Sequence, residues 1–161
     1  MKKIELTQGK HALVDDADYD HLMQWKWSAA MMAHNHRATR RHENSNETIY
    51  MHREIMGFKK GDTRHVDHIN HNPLDNRRIN LRCCTRSQNL MNSIKRKGTS
   101  SVYKGVSWFN ASRKWKAYIK INTKQKYLGL FETETAAAVA YDTEAKELFG
   151  EYALLNFQEA S

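Results

Sequence analysis

The stretch from residue 65 to residue 82, HVDHINHNPLDNRRINLR, constrains this chain more than any other segment. It is too polar and too rich in asparagine for a core strand or helix, and it holds the only proline, Pro73. Proline fixes a backbone angle and asparagine side chains bond nearby main chain, so both favour turns. We therefore predict an ordered polar loop, the kind of segment in which functional residues concentrate.

Asp67 and His68 place a carboxylate beside an imidazole within this loop. Hydrolysis of a phosphodiester needs a base to deprotonate water and a cation to take the charge growing on the phosphate. Imidazole suits the base role because its ordinary pKa is about 6.5, and carboxylates suit Mg²⁺ or Mn²⁺. An isolated Asp-His pair is more often a surface feature, so the neighbouring sequence must decide.

A zinc site is the less favoured alternative for this loop. His65, His68 and His71 recur at every third position, but zinc prefers sets of four Cys and His ligands and the loop has no cysteine. Cys83 and Cys84 are adjacent and lack paired CxxC spacing, so we expect two small reduced residues and no structural zinc. His65 and His71 receive no catalytic role.

The segments around this loop predict short elements and a domain boundary. Residues 1 to about 55 indicate strands, among them the alternating run Trp25-Lys26-Trp27. Residues 85–88, TRSQ, fit a capping box, so a helix should begin near Arg86 and carry Asn89. The basic segment 93–101, SIKRKGTSS, is typical of a linker. We predict domains over 1–94 and 102–158, joined by a linker over 95–101.

The second half has the pattern of an α+β unit. Candidate strands cover 103–109, 115–121 and 126–130, and in the second of them apolar and polar residues alternate between the two faces. Thr133 is a suitable N-cap for a following helix that ends at Gly150. The helix has an apolar stripe at helical spacing, made by Ala137, Ala140, Tyr141, Ala145, Leu148 and Phe149. A three-stranded antiparallel sheet with one helix packed on its back buries that stripe.

Positive charge is concentrated in one block of the chain. The net charge is +8 and the pI about 9.5. Between Lys95 and Lys126, a block that includes Arg96 and Lys97, there are basic residues and no acid, whereas the following segment is acidic. Such a block indicates a binding face, and nucleic-acid phosphates are the commonest partner for it. A solvated basic face without a partner is the alternative.

The segment VDHINHNPLDNRRINLR, followed by TRSQN, closely resembles the motif of HNH endonucleases of phages and intron-encoded homing endonucleases. The resemblance covers residues 51–89 and rests on the Asp-His pair, the Leu-Asp-Asn and Asn-Leu-Arg runs, and the final Asn89. It implies a ββα-metal fold, in which a β-hairpin and a helix grip one metal ion. It also implies a metal-dependent DNA endonuclease.

The resemblance assigns a role to each matched residue. Asp67 and Asn89 would be the metal ligands, with Mg²⁺ or Mn²⁺ as the metal. His68 would be the general base, and Asn80 would hydrogen-bond its ring and orient it. Arg82 is interpreted as a phosphate contact.

Other polar residues of the motif receive supporting roles. We interpret His52 and Arg53 as structural support or contacts to the DNA backbone. Asp75, Asn76 and Arg77 are interpreted as residues that shape the loop through side-chain bonds to main chain.

The second half resembles the plant ethylene-response-factor (APETALA-type) DNA-binding domain. The resemblance covers nearly all of residues 101–157 and rests on YKGV, the strand end LGLF, the helical AAVAYD and the closing LNF. It implies that the sheet enters the major groove of DNA. Some of its DNA-facing positions differ from those of plant members, so the plant recognition sequence is not implied. The residues implied to face DNA are Lys104, Ser107, Arg113, Lys114, Tyr118, Lys120, Gln125 and Tyr127.

Together these features predict a homing-type endonuclease that binds double-stranded DNA and nicks or cuts it. The alternative is a non-catalytic DNA-binding regulator, which is disfavoured because Asp67, His68, Asn80 and Asn89 are all present. An RNA-binding module is disfavoured, because an RNA-binding sheet would be expected to show exposed aromatic pairs on its central strands.

The composition also limits location and partners. No run approaches the roughly 18 apolar residues of a membrane helix, and the chain does not open like a signal peptide. We expect a cytoplasmic protein, in a bacterial host if a phage encodes it. We expect a monomer with no obligate protein partner.

Overall fold

The structure is a computed structural model of the 161-residue chain and describes residues 1–32, 35–95, 98–122 and 124–157. The chain divides into two compact units, Met1–Arg86 and Ser87–Ser161. This division falls upstream of the predicted linker. Arg96 and Lys97 of that linker, and Gln158 at the end of the predicted second domain, lie outside the described residues.

The first unit is built from small antiparallel sheets and short helices. One sheet pairs two strands near the N-terminus, a second has three strands, and a third is a separate two-stranded sheet. The strands are β1 (Lys2–Glu5), β2 (His11–Val14), β3 (Ser28–Met32), β4 (Asn35–Arg41), β5 (Thr48–Tyr50), β6 (His65–His68) and β7 (Leu81–Cys84). The helices are α1 (Asp16–Leu22) and α2 (Met51–Ile55). Helix α3 (Arg86–Met91) begins at the last residue of this unit, and its other residues belong to the second.

A hydrophobic core joins these elements. Val14 of β2, Leu22 of α1 and Met51 of α2 are fully buried in it. Val66 of β6 and Leu81 of β7 belong to the same core, so the two-stranded sheet that carries the Asp-His pair rests on it. Burial of one such side chain contributes about 1.5–3 kcal/mol, which gives the polar motif a firm base.

The strand predicted at Trp25-Lys26-Trp27 is wrong, because β3 begins only at Ser28. The indole nitrogen of Trp27 donates to the main-chain oxygen of Leu22 at 2.8 Å, so this tryptophan caps the end of α1. The guanidinium of Arg40 lies 4.1 Å from the Trp25 ring. Helix α1 itself was not predicted, because its sequence, DADYDHL, is too acidic to show an apolar stripe.

The polar stretch is only partly a loop. Its two ends form the antiparallel pair β6–β7, with Asp67 opposite Arg82 and His68 opposite Leu81. The expectation that this stretch was too polar for a strand is therefore wrong at its ends. Polar residues are tolerated there because they bond to one another, as Asp67 and Arg82 do.

The second unit has the predicted architecture. Its strands are β8 (Val106–Phe109), β9 (Lys114–Ile121) and β10 (Lys124–Phe131), antiparallel in the order β10-β9-β8. Helix α4 (Glu134–Phe149) follows them, and the hydroxyl of Thr133 accepts from the amide of Ala136 at 3.1 Å, which confirms the predicted cap. The α+β class is confirmed.

The core of the second unit lies between β9 and α4. Ala117 and Ile119 of β9 meet Ala137, Tyr141 and Ala145 of α4, all buried. One predicted member of the buried helical stripe, Leu148, is wrong, because its side chain is 42% exposed.

Gly105 allows the closest approach in this unit. It has φ +74°, and a Cβ there would lie 1.9 Å from the Tyr141 ring. Only glycine fits this position, because both the backbone angle and the contact exclude a side chain.

Among the described residues, no helix is long and apolar enough to span a bilayer.

Candidate active site and nucleic-acid interface

His68 sits at the end of β6 with its ring enclosed by other polar residues. It is 7% exposed, and its Nε2 lies 3.2 Å from Oδ1 of Asn76, which is fully buried. The ring of His52, from α2, packs against it nearly edge-on, with centroids 5.1 Å apart and planes at 74°. The imidazole predicted to be the base is therefore held on two sides.

Burial keeps both rings neutral. Desolvation lowers the pKa of His52 to about 3, with the neighbouring His68 adding to the shift. Desolvation also lowers the pKa of His68, an effect that the hydrogen bond to Asn76 opposes. A neutral imidazole has a free lone pair at neutral pH, which is the form that a general base needs.

Asp67 is buried beside His68 and is paired with Arg82. Nε and an Nη of Arg82 donate to the same carboxylate oxygen, Oδ2, at 2.9 and 2.8 Å. The side chain of Arg82 is 12% exposed and that of Asp67 is 8% exposed, so the pair is largely shielded from water. The guanidinium of Arg82 compensates the charge of the predicted metal ligand. The predicted contact of Arg82 with phosphate stays a prediction.

The loop between β6 and β7 is closed by its own side chains. Oδ1 of Asn80 accepts from the amide of Asn70 at 2.9 Å, and its Nδ2 donates to the carbonyl of Asp75 at 2.7 Å. Arg77 donates to both oxygens of Asp75 at 2.7 and 2.6 Å, which holds the pKa of that carboxyl below its usual range. The predicted loop-shaping role fits Asp75 and Arg77.

The predicted role of Asn80 therefore needs correction. Its amide bonds across the loop, whereas the side chain at the His68 ring is that of Asn76. Both residues are asparagines of one polar loop, and spacing alone does not show which amide turns toward the ring. Asn80 fixes the loop, and Asn76 contacts the imidazole.

Asn89 lies on α3, in the second unit. The predicted start of this helix near Arg86 is confirmed. Met91, one half-turn on, packs against the cluster of Ile119, Tyr141 and Phe149. The role of Asn89 as a metal ligand stays a prediction from the motif.

The chemistry of Asp67 fits a hard divalent cation, because its buried carboxylate supplies oxygen ligands of the kind that Mg²⁺ and Mn²⁺ prefer. Among the described residues, no group of three or more His, Cys, Asp or Glu side chains is arranged to hold a metal ion.

Three residues near His68 were not found as site residues by sequence reasoning. Asn76 was assigned to loop shape, and His52 to structural support, because nothing in their spacing distinguishes a contact to His68. Arg37 lies outside the motif, on β4, yet its exposed guanidinium lowers the pKa of both His52 and His68. The sequence of β4, NHRATRR, contains no pattern that points to this role.

One face of the β8–β10 sheet collects most of the residues predicted to face DNA. Residues directly opposite each other in a sheet project from the same face. Ser107 lies opposite Lys116, Tyr118 opposite Tyr127, and Lys120 opposite Gln125. This front face therefore includes Lys116, which the prediction omitted and whose ammonium lies 5.9 Å from the Tyr127 ring centroid. The front face comprises Ser107, Phe109, Lys114, Lys116, Tyr118, Lys120, Gln125, Tyr127 and Leu130.

Lys104 is not part of the front face. It precedes β8, and its ammonium donates to the carbonyls of Met91 and, at 2.8 Å, Ser93 at the end of α3. Burial lowers its pKa to about 8. Lys95, the first residue of the predicted linker, similarly donates to the carbonyl of Val106 at 3.1 Å. Two lysines of the basic block thus stabilise the second unit.

The remaining predicted DNA contacts differ in their surroundings. Arg113 is exposed in the turn between β8 and β9 with φ +52°. Lys114 is paired with Glu132 at 2.7 Å. Lys126, on the opposite side of β10, is paired with Glu144 of α4 at 2.7 Å. The acidic segment therefore neutralises some of the basic block but leaves Lys116 and Lys120 on the front face.

Comparison with known proteins identifies the part of the chain that contains the Asp-His pair. Residues 50–91 match the family described as HNH endonuclease. An HNH endonuclease, L560, of Acanthamoeba polyphaga mimivirus is 41% identical over 92 residues, which are 57% of this chain and 46% of that protein. The chain therefore contains a domain of the HNH endonuclease family. Protein 3.8 of Escherichia phage T7 is 30% identical over 89 residues, 55% of this HNH chain and 73% of the phage protein.

A separate similarity links the chain to plant transcription factors. AP2-like ethylene-responsive transcription factor TOE2 of Arabidopsis thaliana is 43% identical over 58 residues, 36% of this chain and 12% of that factor. The HNH chain thus spans about half the length of the mimivirus relative and a small part of the plant one. No solved structure is significantly similar to it.

Proposed function

We propose that this HNH protein is a metal-dependent DNA endonuclease of the homing type, which binds duplex DNA through the front face and hydrolyses a phosphodiester bond. The observation that carries the proposal is a buried, neutral His68 next to the buried carboxylate of Asp67, within the residues that match the HNH family. A base and an anionic ligand on one strand are what hydrolysis of a phosphodiester requires.

In the proposed reaction, His68 takes a proton from water as the water oxygen bonds to phosphorus. The bond from phosphorus to the sugar oxygen breaks, and its electron pair leaves with that oxygen. Asp67 and Asn89 would hold Mg²⁺ or Mn²⁺, which when bound supplies positive charge to the phosphate and to the leaving oxygen. Asn89 is assigned by its place in the motif.

Arg82 has a defined task in this proposal. Its guanidinium compensates the Asp67 carboxylate at 2.8 Å and keeps that charge tolerable inside the protein. A buried carboxylate without a partner is strongly unfavourable. Arg82 therefore compensates the charge of the Asp67 carboxylate within the fold.

The front face is the proposed DNA contact. Lys116 and Lys120 lie on it, with Tyr118 between them on β9 and Tyr127 opposite Tyr118 on β10. Lysines supply charge to phosphates, and aromatic and amide side chains can touch base edges in the major groove. The similarity to an ethylene-responsive factor supports this use of the sheet.

The test is cleavage of supercoiled plasmid by the full-length protein. With Mg²⁺ or Mn²⁺ we expect nicked or linear products, and with EDTA we expect none. Asp67→Asn serves as the matched inactive variant, because it keeps the side-chain shape and removes the charge. Tight binding of DNA with no cleavage by the wild-type protein in either metal would instead identify a non-catalytic DNA-binding regulator.

A further inference from the structure

We propose that Asn76 is the positioning residue of the base: its Oδ1 accepts the Nε2 proton of His68, which fixes the orientation of the ring and the nitrogen that carries the proton. This inference rests on the proposed endonuclease function. It gives a role at the catalytic base to a residue that the sequence assigned only to the shape of the loop.

The contact between the two side chains is isolated from solvent. Nε2 of His68 and Oδ1 of Asn76 are 3.2 Å apart, and Asn76 has no exposed surface. Water cannot compete for a hydrogen bond buried in this way, so the bond strongly favours one ring orientation. A neutral imidazole carries one N–H, and donation from Nε2 places the lone pair on Nδ1.

The main chain of Asn76 is anchored to the core of the first unit. Its amide donates to the carbonyl of Leu13 on β2 at 2.8 Å, and the amide of Leu13 donates to the carbonyl of Leu74 at 2.8 Å. Leu13 and Asp75 form a parallel bridge. Because β2 is itself buried at Ala12 and Val14, the position of the Asn76 side chain is set by the core and not by a free loop.

The amide of Asn76 also carries an unmet hydrogen-bonding need. Among the described residues its Nδ2 has no hydrogen-bond partner although it is buried. A buried donor without a partner disfavours the folded state, and an apolar side chain of the same shape would avoid that cost. A polar residue at this position is therefore explained by the bond that its Oδ1 makes with His68.

His52 completes the support of the ring. Its own ring lies edge-on to His68, with centroids 5.1 Å apart, and opposes rotation of the His68 side chain. Asn76 thus sets which nitrogen carries the proton, and His52 limits the movement of the ring.

The experiment compares full-length Asn76→Leu and Asn76→Asp with the wild-type protein. Leucine branches at the same carbon as asparagine but accepts no hydrogen bond, whereas aspartate keeps the acceptor. Asn72→Leu is the matched control, because Asn72 is exposed in the same loop and its Oδ1 accepts from the amide of Leu74 at 3.1 Å. The measurements are kcat and KM for plasmid cleavage, thermal unfolding, and ¹⁵N NMR of the His68 ring, assigned with His68→Ala.

We expect the wild-type ring to show a protonated Nε2 and an unprotonated Nδ1. Asn76→Leu should lose this single form and lower kcat about 10–100-fold with KM unchanged, the usual range for a residue that orients a catalytic ligand. It should unfold no earlier than the wild type, Asn76→Asp should keep the protonated Nε2, and Asn72→Leu should behave like wild type.

The proposal is overturned if the wild-type Nε2 is unprotonated, or if Asn76→Leu leaves the His68 signals unchanged. It is also overturned if the loss of activity merely follows a loss of stability. If Asn76→Leu does not fold, the Asn76→Asp spectrum decides. If the wild-type protein is inactive, the proposed function is wrong, and so is the catalytic role of Asn76. The NMR spectra would still establish or exclude the hydrogen bond between Asn76 and His68.

Discussion

Arg82 and Asp67 form a largely buried ion pair across the β6–β7 hairpin, with 2.8 Å between Nη2 and Oδ2. The anionic partner is the residue proposed to bind a metal ion, and the cationic partner already supplies positive charge to it. Stability and metal binding are therefore expected to depend on the same carboxylate.

Arg82→Met should destabilise the protein by about 3–5 kcal/mol without added metal, because it leaves a buried carboxylate uncompensated. Mn²⁺ should restore more stability to this variant than to the wild type, since the cation replaces the lost charge. Denaturant unfolding with and without Mn²⁺ measures both effects. Arg64→Met is the control, because its pair with Asp62 is exposed and little change is expected. Equal losses in the two variants would contradict a special role for Arg82.

His68→Ala should lower the cleavage rate by about 10²–10⁴, the usual contribution of a general base. Affinity for DNA should change little, because the ring is 7% exposed and acts on water and not on the duplex. Plasmid cleavage and gel-shift titration give the two quantities. A parallel collapse of affinity and cleavage would show that His68 binds DNA.

His52 should make the protein sensitive to acid. Its pKa in the folded state is about 3, below the ordinary 6.5, so the unfolded chain binds the extra proton as the pH falls. The free energy of unfolding is therefore unaffected by His52 above about pH 6.5 and decreases as the pH falls toward 3. The decrease is about 1.4 kcal/mol for each unit of pKa difference. His52→Phe should flatten this dependence in unfolding measurements from pH 7 to pH 4. The control is His11→Phe, whose side chain is exposed on β2.

Lys104 and Lys120 should respond differently to the same substitution. Lys120→Met should reduce the slope of log affinity against log salt by about 0.9 or less, because an exposed lysine of the front face loses a phosphate contact. Lys104→Met should leave that slope unchanged, since its ammonium is bonded to the carbonyls of Met91 and Ser93. A lower slope in Lys104→Met would return this residue to the DNA interface.

Lys104 should also change how the free energy of unfolding depends on pH in the alkaline range. Its pKa is about 8 in the folded protein against an ordinary 10.5, so the unfolded chain holds the proton longer as the pH rises. Wild-type stability should therefore gain, relative to Lys104→Met, between about pH 8 and 10.5. Urea unfolding of both proteins at pH 7.5 and 10 measures the difference, and the absence of any difference would mean that the lysine is not desolvated.

The second unit could be predicted closely from the sequence because its signals are local. Alternation in β9, the Thr133 cap and Gly150 each act within a few residues, and all three match the structure. Trp27 shows the limit of this reasoning, since its indole bonds to Leu22 at the end of α1 instead of continuing a strand.

The candidate site could be predicted less completely from local sequence patterns than the second unit. Motif spacing identified Asp67 and His68, but it did not distinguish Asn76 from Asn80. The choice depends on a bond between Asn76 and Leu13, more than sixty residues away in the chain, which no local pattern records. The pairing of Arg82 with Asp67 also depends on strand register, which the polar sequence did not reveal.

The packing of Met91 with Ile119 and Tyr141 has a consequence for how such genes can recombine. From the sequence, the segment 93–101 would be the expected point at which recombination exchanges one DNA-binding module for another. A crossover there would separate α3 from the side chains that cover it and from the lysine that bonds to its last carbonyls. A viable exchange should instead fall upstream of Ser87, so that Asn89, the last residue of the HNH motif, is inherited together with the sheet that follows it.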